Sequence, residues 1–330
     1  FLNVGLRQKF FKGGTIKGDL HAVFRHNVPK LTANMQILNT RIPSQRLRIS
    51  EATLSTNHEE ISIKANGGFK RIKYDIDGVI KNELLTPVIV KKLDMTVDNV
   101  NVERLLASVN QDQNQTATTI SESDDDNFMF DTSLLVIEDC NFKVLKGFYK
   151  DLVFGDINAK MTLDKDGIVK IQAPWFDIAE GISTLRVQCD LKNFDYYLRL
   201  GLKNVNMDII STNLLNLSKE ISGKGSALVE LNSDKSLKLN GQIKFLIDDG
   251  AIGKIGVVEY LLKVAAIFRN PIVMISPTTF FDLVNIPEGK FDQIDGVLKL
   301  KDNVITRMDI KSYSPTLSAL IRGRYDLENQ

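Results

Sequence analysis

Histidine and proline are scarce in this chain, three and eight among 330 residues. So few histidines leave no room for a His-rich metal site, and so few prolines exclude a proline-rich recognition tract. There is no excess of charge of either sign: 42 Lys and Arg face 41 Asp and Glu, a formal net charge of +1. Nucleic-acid binders usually carry a clear basic excess, so a nucleic-acid partner is not expected. No apolar run approaches the roughly 20 residues that a membrane-crossing helix needs. The longest candidate, Val257 to Phe268, is broken by Glu259 and Lys263. The chain opens on Phe1 with no methionine and no signal pattern, so it reads as a fragment of something longer.

Catalytic signatures are missing as well. No Gly-x-Ser-x-Gly elbow, phosphate-binding glycine loop or His-Glu-x-x-His motif occurs. His21 and His26 are five apart, which places them on opposite faces of a strand, and His58 stands apart from both. Gly250, Gly253 and Gly256 do not match a dinucleotide fingerprint. The sequence therefore offers no catalytic residue, no metal site and no cofactor site, and predicts a protein that is not an enzyme. Cys140 and Cys189 can pair in an oxidising space, but Cys189 lies on the apolar side of its segment, and both read as small buried hydrophobes.

What is present is alternation. Ile16, Gly18, Leu20, Ala22 and Phe24 share one side, followed by Leu31, Ala33, Met35 and Ile37. Ile72, Tyr74, Ile76, Gly78 and Ile80 repeat the pattern, as do Ile157, Ala159, Met161 and Leu163. Leu185, Val187, Cys189 and Leu191 oppose Arg186, Gln188, Asp190 and Lys192. Leu237, Leu239, Gly241, Ile243, Phe245 and Ile247 do the same, and Val304, Thr306, Met308 and Ile310 close the series. A period of two with one apolar and one wet side is the mark of antiparallel strands in a sheet covered on one face. Turns are expected at Asn66-Gly67-Gly68, Asp166-Gly167, Asn232-Ser233-Asp234 and Asp302-Asn303, and Asp248-Asp249 also reads as turn residues.

Helical spacing is confined to short pieces: Val102 to Val109, Thr212 to Leu217, and the strongest, Gly256 to Phe268, whose broad apolar side suits a cap on the sheet. Asn110 to Asn127 has no core-forming pattern and reads as a mobile linker, and its acidic run Asp124–Asp126 lacks the ligand spacing of a calcium loop. Asp98-Asn99-Val100-Asn101 and Lys203-Asn204-Val205-Asn206 each join an alternating segment to a short helix, an internal repeat. Ile247-Asp248-Asp249-Gly250 before the Val257 helix is a looser third copy. A repeated supersecondary unit suggests an extended, stacked sheet.

The last third carries an ordered series of turn motifs. Gly223-Lys224-Gly225, Leu239-Asn240-Gly241 and Ile247-Asp248-Asp249-Gly250 are followed by Phe291-Asp292-Gln293-Ile294-Asp295-Gly296. Ile310-Lys311-Ser312-Tyr313-Ser314-Pro315 and Ile321-Arg322-Gly323-Arg324-Tyr325-Asp326-Leu327 end the series. From about Phe130 to Leu327 this succession resembles the C-terminal region of the AsmA-like family. The resemblance implies a long β-groove in the periplasm of a Gram-negative bacterium. It also implies an N-terminal inner-membrane helix outside this chain, and phospholipid carried between the two membranes.

The expected fold is mainly β: an extended, curled antiparallel sheet forming an open apolar groove, with a few short capping helices. Residues 1–109 form an N-terminal β-groove segment, 110–128 a disordered loop, and 129–330 the AsmA-like region. Composition alone favours a closed sandwich, whereas the repeat and the resemblance favour the groove. The groove-lining candidates are Leu185, Val187, Leu239, Ile243, Phe245, Val304, Met308 and Ile310. The partners expected are phospholipid acyl chains, membranes contacted through the missing terminal segments, and other envelope proteins. The alternative function is an assembly module that supports outer-membrane protein insertion.

Overall fold

A computed structural model describes residues 12–25, 28–43, 46–69, 72–83, 86–104, 134–193, 195–215, 221–233, 238–252, 289–314 and 318–326. The expected linker at 110–128 and the expected helix at Val257–Phe268 lie outside the described residues.

The fold is mainly β. Sixteen strands are hydrogen-bonded in sequence order, each antiparallel to the next wherever the register is resolved, with the first and last strands at the two ends of the order. They are β1 Thr15–Arg25, β2 Val28–Ile42, β3 Leu47–Thr56, β4 Glu60–Phe69, β5 Ile72–Lys81 and β6 Val88–Asn101. Then come β7 Leu135–Tyr149, β8 Leu152–Leu163, β9 Ile168–Ile178, β10 Gly181–Asp190 and β11 Tyr196–Asn206. Helix α1, Met207–Leu215, precedes β12 Lys224–Ser233, β13 Leu239–Ile252, β14 Gly289–Lys301, β15 Val304–Tyr313 and β16 Ala319–Asp326. Short turns join most neighbouring strands, as expected between alternating segments, while longer stretches of chain separate β6 from β7, β11 from β12 and β13 from β14.

The chain packs as two units. Of the described residues, the first takes those within 1–147, 155–172 and 190–192, and the second those within 148–154, 173–189 and 193–330.

The internal repeat has a physical basis. Asn206 ends β11 and caps α1, its side-chain oxygen accepting from the N–H of Asp208 at 3.1 Å. Asn101 ends β6 in the same way, accepting from the N–H of Arg104 at 2.9 Å as residues 102–104 turn helical. Asn is a strong N-cap because its short side chain reaches the helix's unpaired N–H groups. The helix starts earlier than the Thr212 expected, because Met207 and Ile210 bury against the sheet of the second unit.

Three expectations need correction. Asn66-Gly67-Gly68 is no turn. It lies inside β4, with Gly67 paired to Tyr74, and the chain reverses after Phe69. Gly67 is there because any side chain would strike the Arg48 carbonyl and the Tyr74 hydroxyl. Asp248 and Asp249 lie within β13, where Asp248 pairs with Lys224. In β15 a register shift at Thr306 pairs Ile305 with Leu300, so Ile305 and not Val304 joins the apolar face. The extra residue of a β-bulge reverses the alternation on one side of it, which spacing alone does not reveal.

Candidate functional site

The strand register turns the alternation into continuous apolar rows. In the second unit one row runs Leu185–Leu200–Val229–Ile243–Leu298–Met308, and the next runs Leu202–Ala227–Phe245–Gly296–Ile310. Val187, Leu198 and Leu231 form a third row, and Leu239 lies opposite Ser233 on the same face. The candidates Leu185, Val187, Leu239, Ile243, Phe245, Met308 and Ile310 are therefore brought together. Val304 is not: it faces the other way and Ile305, 1% exposed, takes its place.

Much of this face is buried. Leu239, Ile243, Met308 and Ile310 belong to one buried cluster with Leu231, Leu298 and Ile305, and Phe245 packs against it. Leu185 and Val187 stay half-buried. Leu231, Leu298 and Ile305 were not among the candidates, although the first two stand in alternating positions. Glycines let large side chains lie across this face: the Phe245 ring covers Gly296, and the Phe291 ring covers Gly250.

The first unit presents the same pattern in another state. Its rows are Gly18–Met35–Leu54–Ile63–Gly78–Leu93 and Ile16–Ile37–Ala52–Ala65–Ile76–Met95, each crossing β1 to β6. The large side chains Met35, Ile37, Leu54, Ile63, Ile76 and Met95 are only half-buried. Ile16 and Leu20 on β1 are 38% and 45% exposed. The small cluster of Ile137, Cys140 and Leu163 takes in Val90 and Leu93 at the β6 side; among the described residues no buried cluster includes a residue of β1 to β5, where Ala33, Ala52 and Ile61 are buried singly. From β1 to β6 the face extends over five strand spacings, about 24 Å.

One end of this open face is drawn inward. The Asn82 side-chain amide donates to the carbonyls of Leu31 at 2.8 Å and Asn57 at 2.7 Å, and its oxygen accepts from the Leu31 N–H at 2.8 Å. Leu31 lies in β2 before the stretch that pairs with β3, and Asn82 follows β5, three strands away, or ~14 Å in a flat sheet. Direct hydrogen bonds over that interval require the sheet of this unit to curl. The hydroxyl of Thr56 serves Ala33 similarly, accepting from its N–H at 2.8 Å.

Compared with known protein families, curated proteins and solved structures, the chain matches none. What the face can do must therefore be argued from its own chemistry.

Its chemistry is hydrocarbon. Among the described residues no group of three or more His, Cys, Asp or Glu is placed to hold a metal ion. His21 and His58 are exposed, and His26 is not among the described residues. Cys140 and Cys189 form no disulfide with each other; burial, with the Asp139 and Asp94 charges adding to it, pushes the Cys140 thiol up, away from the reactive thiolate. No helix among the described residues is long and apolar enough to cross a membrane. Charged groups keep to the opposite side of the sheet, where Lys64 pairs with Asp77 at 3.0 Å and Lys92 with Asp94 at 2.6 Å. A continuous, half-exposed apolar surface of this kind can take up aliphatic chains without any polar contact.

Proposed function

We propose that the protein binds lipid, carrying phospholipid acyl chains on the apolar face of β1 to β6. One observation carries the reading: large side chains of the same alternating pattern are buried in the second unit and left half-exposed across much of the first. A sheet face of this composition gains about 0.8 kcal/mol for each acyl methylene buried on it, so a chain of ordinary length needs no polar anchor. Selectivity for chain structure is then loose, and headgroups stay at the rim near water. The resemblance of the turn series to the AsmA-like family supports the wider setting, transfer of phospholipid between the two membranes of a Gram-negative envelope.

Mass spectrometry of lipid extracted from the purified protein tests this. We expect bound phospholipid in the parent protein and much less in Ile37→Asp/Ile76→Asp, with melting nearly unchanged because water reaches both sites. The paired control is Leu298→Asp, which places a charge in the closed cluster where Leu298 is 0% exposed. That variant loses several kcal/mol and unfolds its unit. A parent protein free of lipid, or a lipid load indifferent to Ile37 and Ile76, overturns the reading.

A further inference from the structure

The two ends of the β1–β6 sheet differ in charge. At the end where Asn82 reaches Leu31, cations have partners: Lys91 meets Glu60 at 2.9 Å, Lys81 meets Glu83 at 2.8 Å, and Lys30 donates to the His58 carbonyl. At the other end, the last cross-strand row on the charged side is Arg41–Arg48–Gly68–Lys73. Lys12 bridges to Arg41, and Arg46 sits in the β2–β3 turn. All five cations are exposed, and among the described residues none makes an ion pair. The nearest acids in register, Glu51 and Asp75, sit one row further in on the same side, and Glu51 accepts from Gln36.

Arg41 directly opposite Arg48 is unfavourable, since like charges in cross-strand register repel. Elsewhere such pairs are relieved. Arg199, opposite Arg186, meets Glu230, and Arg307, opposite Lys299, meets Asp309. The unrelieved pair is a local conflict of the sort that function explains. On the apolar side the same end finishes in the row Ile42–Leu47–Phe69–Ile72, all half-buried. Cations on one side and an apolar row on the other match the boundary between headgroups and acyl chains of a bilayer. A soluble polyanion would satisfy only the cations.

We propose that this end of the β1–β6 sheet docks on an anionic membrane surface through Lys12, Arg41, Arg46, Arg48 and Lys73, so that the open face meets the bilayer where its last apolar row ends. The choice of a bilayer rests on the lipid-carrying reading. Docking itself is measured separately.

The experiment is vesicle co-sedimentation of the full chain, using phosphatidylcholine vesicles and vesicles of equal phosphatidylcholine and phosphatidylglycerol. The parent protein binds the anionic vesicles more tightly, and added salt weakens binding. Each cation near the surface contributes about fivefold in affinity, so Arg41→Gln/Arg48→Gln/Lys73→Gln lowers it roughly a hundredfold. Its melting temperature stays level or rises, because repulsion is removed. Lys30→Gln/Lys81→Gln/Lys91→Gln removes equal charge at the other end and keeps most of the binding. Equal binding to neutral vesicles, equal loss in both variants, or heparin bound as tightly as the anionic vesicles overturns the proposal. Lost docking with bound phospholipid retained counts against docking alone. Docking without bound phospholipid counts against the lipid-carrying face alone.

Discussion

The side-chain amide of Asn82 hydrogen-bonds both backbone groups of Leu31, completing for β2 the pairing that β3 no longer supplies beyond Asn34. Asn82 is 1% exposed, so each of these bonds stands in for water that is no longer there.

Asn82→Ala leaves the Leu31 N–H and C=O and the Asn57 carbonyl without this partner. Leaving buried polar groups unsatisfied costs about 1–3 kcal/mol each, and partial rehydration of this end offsets some of it, so a net loss of about 2–4 kcal/mol is expected. Chemical denaturation measures it, and hydrogen exchange at Leu31 should quicken in step. A loss below about 1 kcal/mol would mean that β2 keeps its curl without the clip.

Two glycines on the apolar face of the second unit separate rigid from yielding neighbours. A side chain at Gly250 collides with the Ser222 carbonyl and the Phe291 ring, whereas one at Gly225 meets the flexible end of Met207. Gly250→Ala should therefore destabilise by about 1–3 kcal/mol, and Gly225→Ala by clearly less, as Met207 swings aside. Thermal melts of the two variants in parallel check the order; the reverse order would show that β13 shifts more readily than Met207.

Acid should weaken the join between β6 and β7. Lys92 beside Asp94, together with an Asn141 amide donated at 2.8 Å, holds the Asp94 carboxyl below its ordinary range. A depressed folded pKa stabilises the fold above the ordinary carboxylate pKa of about 4, and that contribution disappears as pH falls through the depressed value. The melting temperature of the parent should converge on that of Asp94→Asn as the solution is acidified. A gap that stays constant from neutral pH to below that range would remove Asp94 from the account. The group is well exposed, so the expected gap is small.

Much of the fold was legible because a half-covered antiparallel sheet writes itself as alternation. The faces of β1, β2, β5, β10 and β13 followed from residues two apart, and Asn101 and Asn206 marked strand-to-helix junctions through capping chemistry that depends on neighbours alone. Legibility failed where one extra residue changed the phase, as at Thr306, which exchanged Val304 for Ile305. It also failed at Gly67, whose role lies in what approaches it from Arg48 and Tyr74 rather than in its own flexibility.

The sequence by itself determined that the chain forms strands and which side of most strands is apolar. Those properties depend on residue type and short spacing. Only the tertiary structure decided that Leu239, Ile243, Met308 and Ile310 are sealed while Met35, Ile37 and Ile76 stay half-exposed. An apolar side reads identically whether protein or something else covers it, and coverage depends on strands that meet across many residues. The same holds for Asn82 against Leu31, and for Arg41, Arg48 and Lys73, which strand register alone sets in one row.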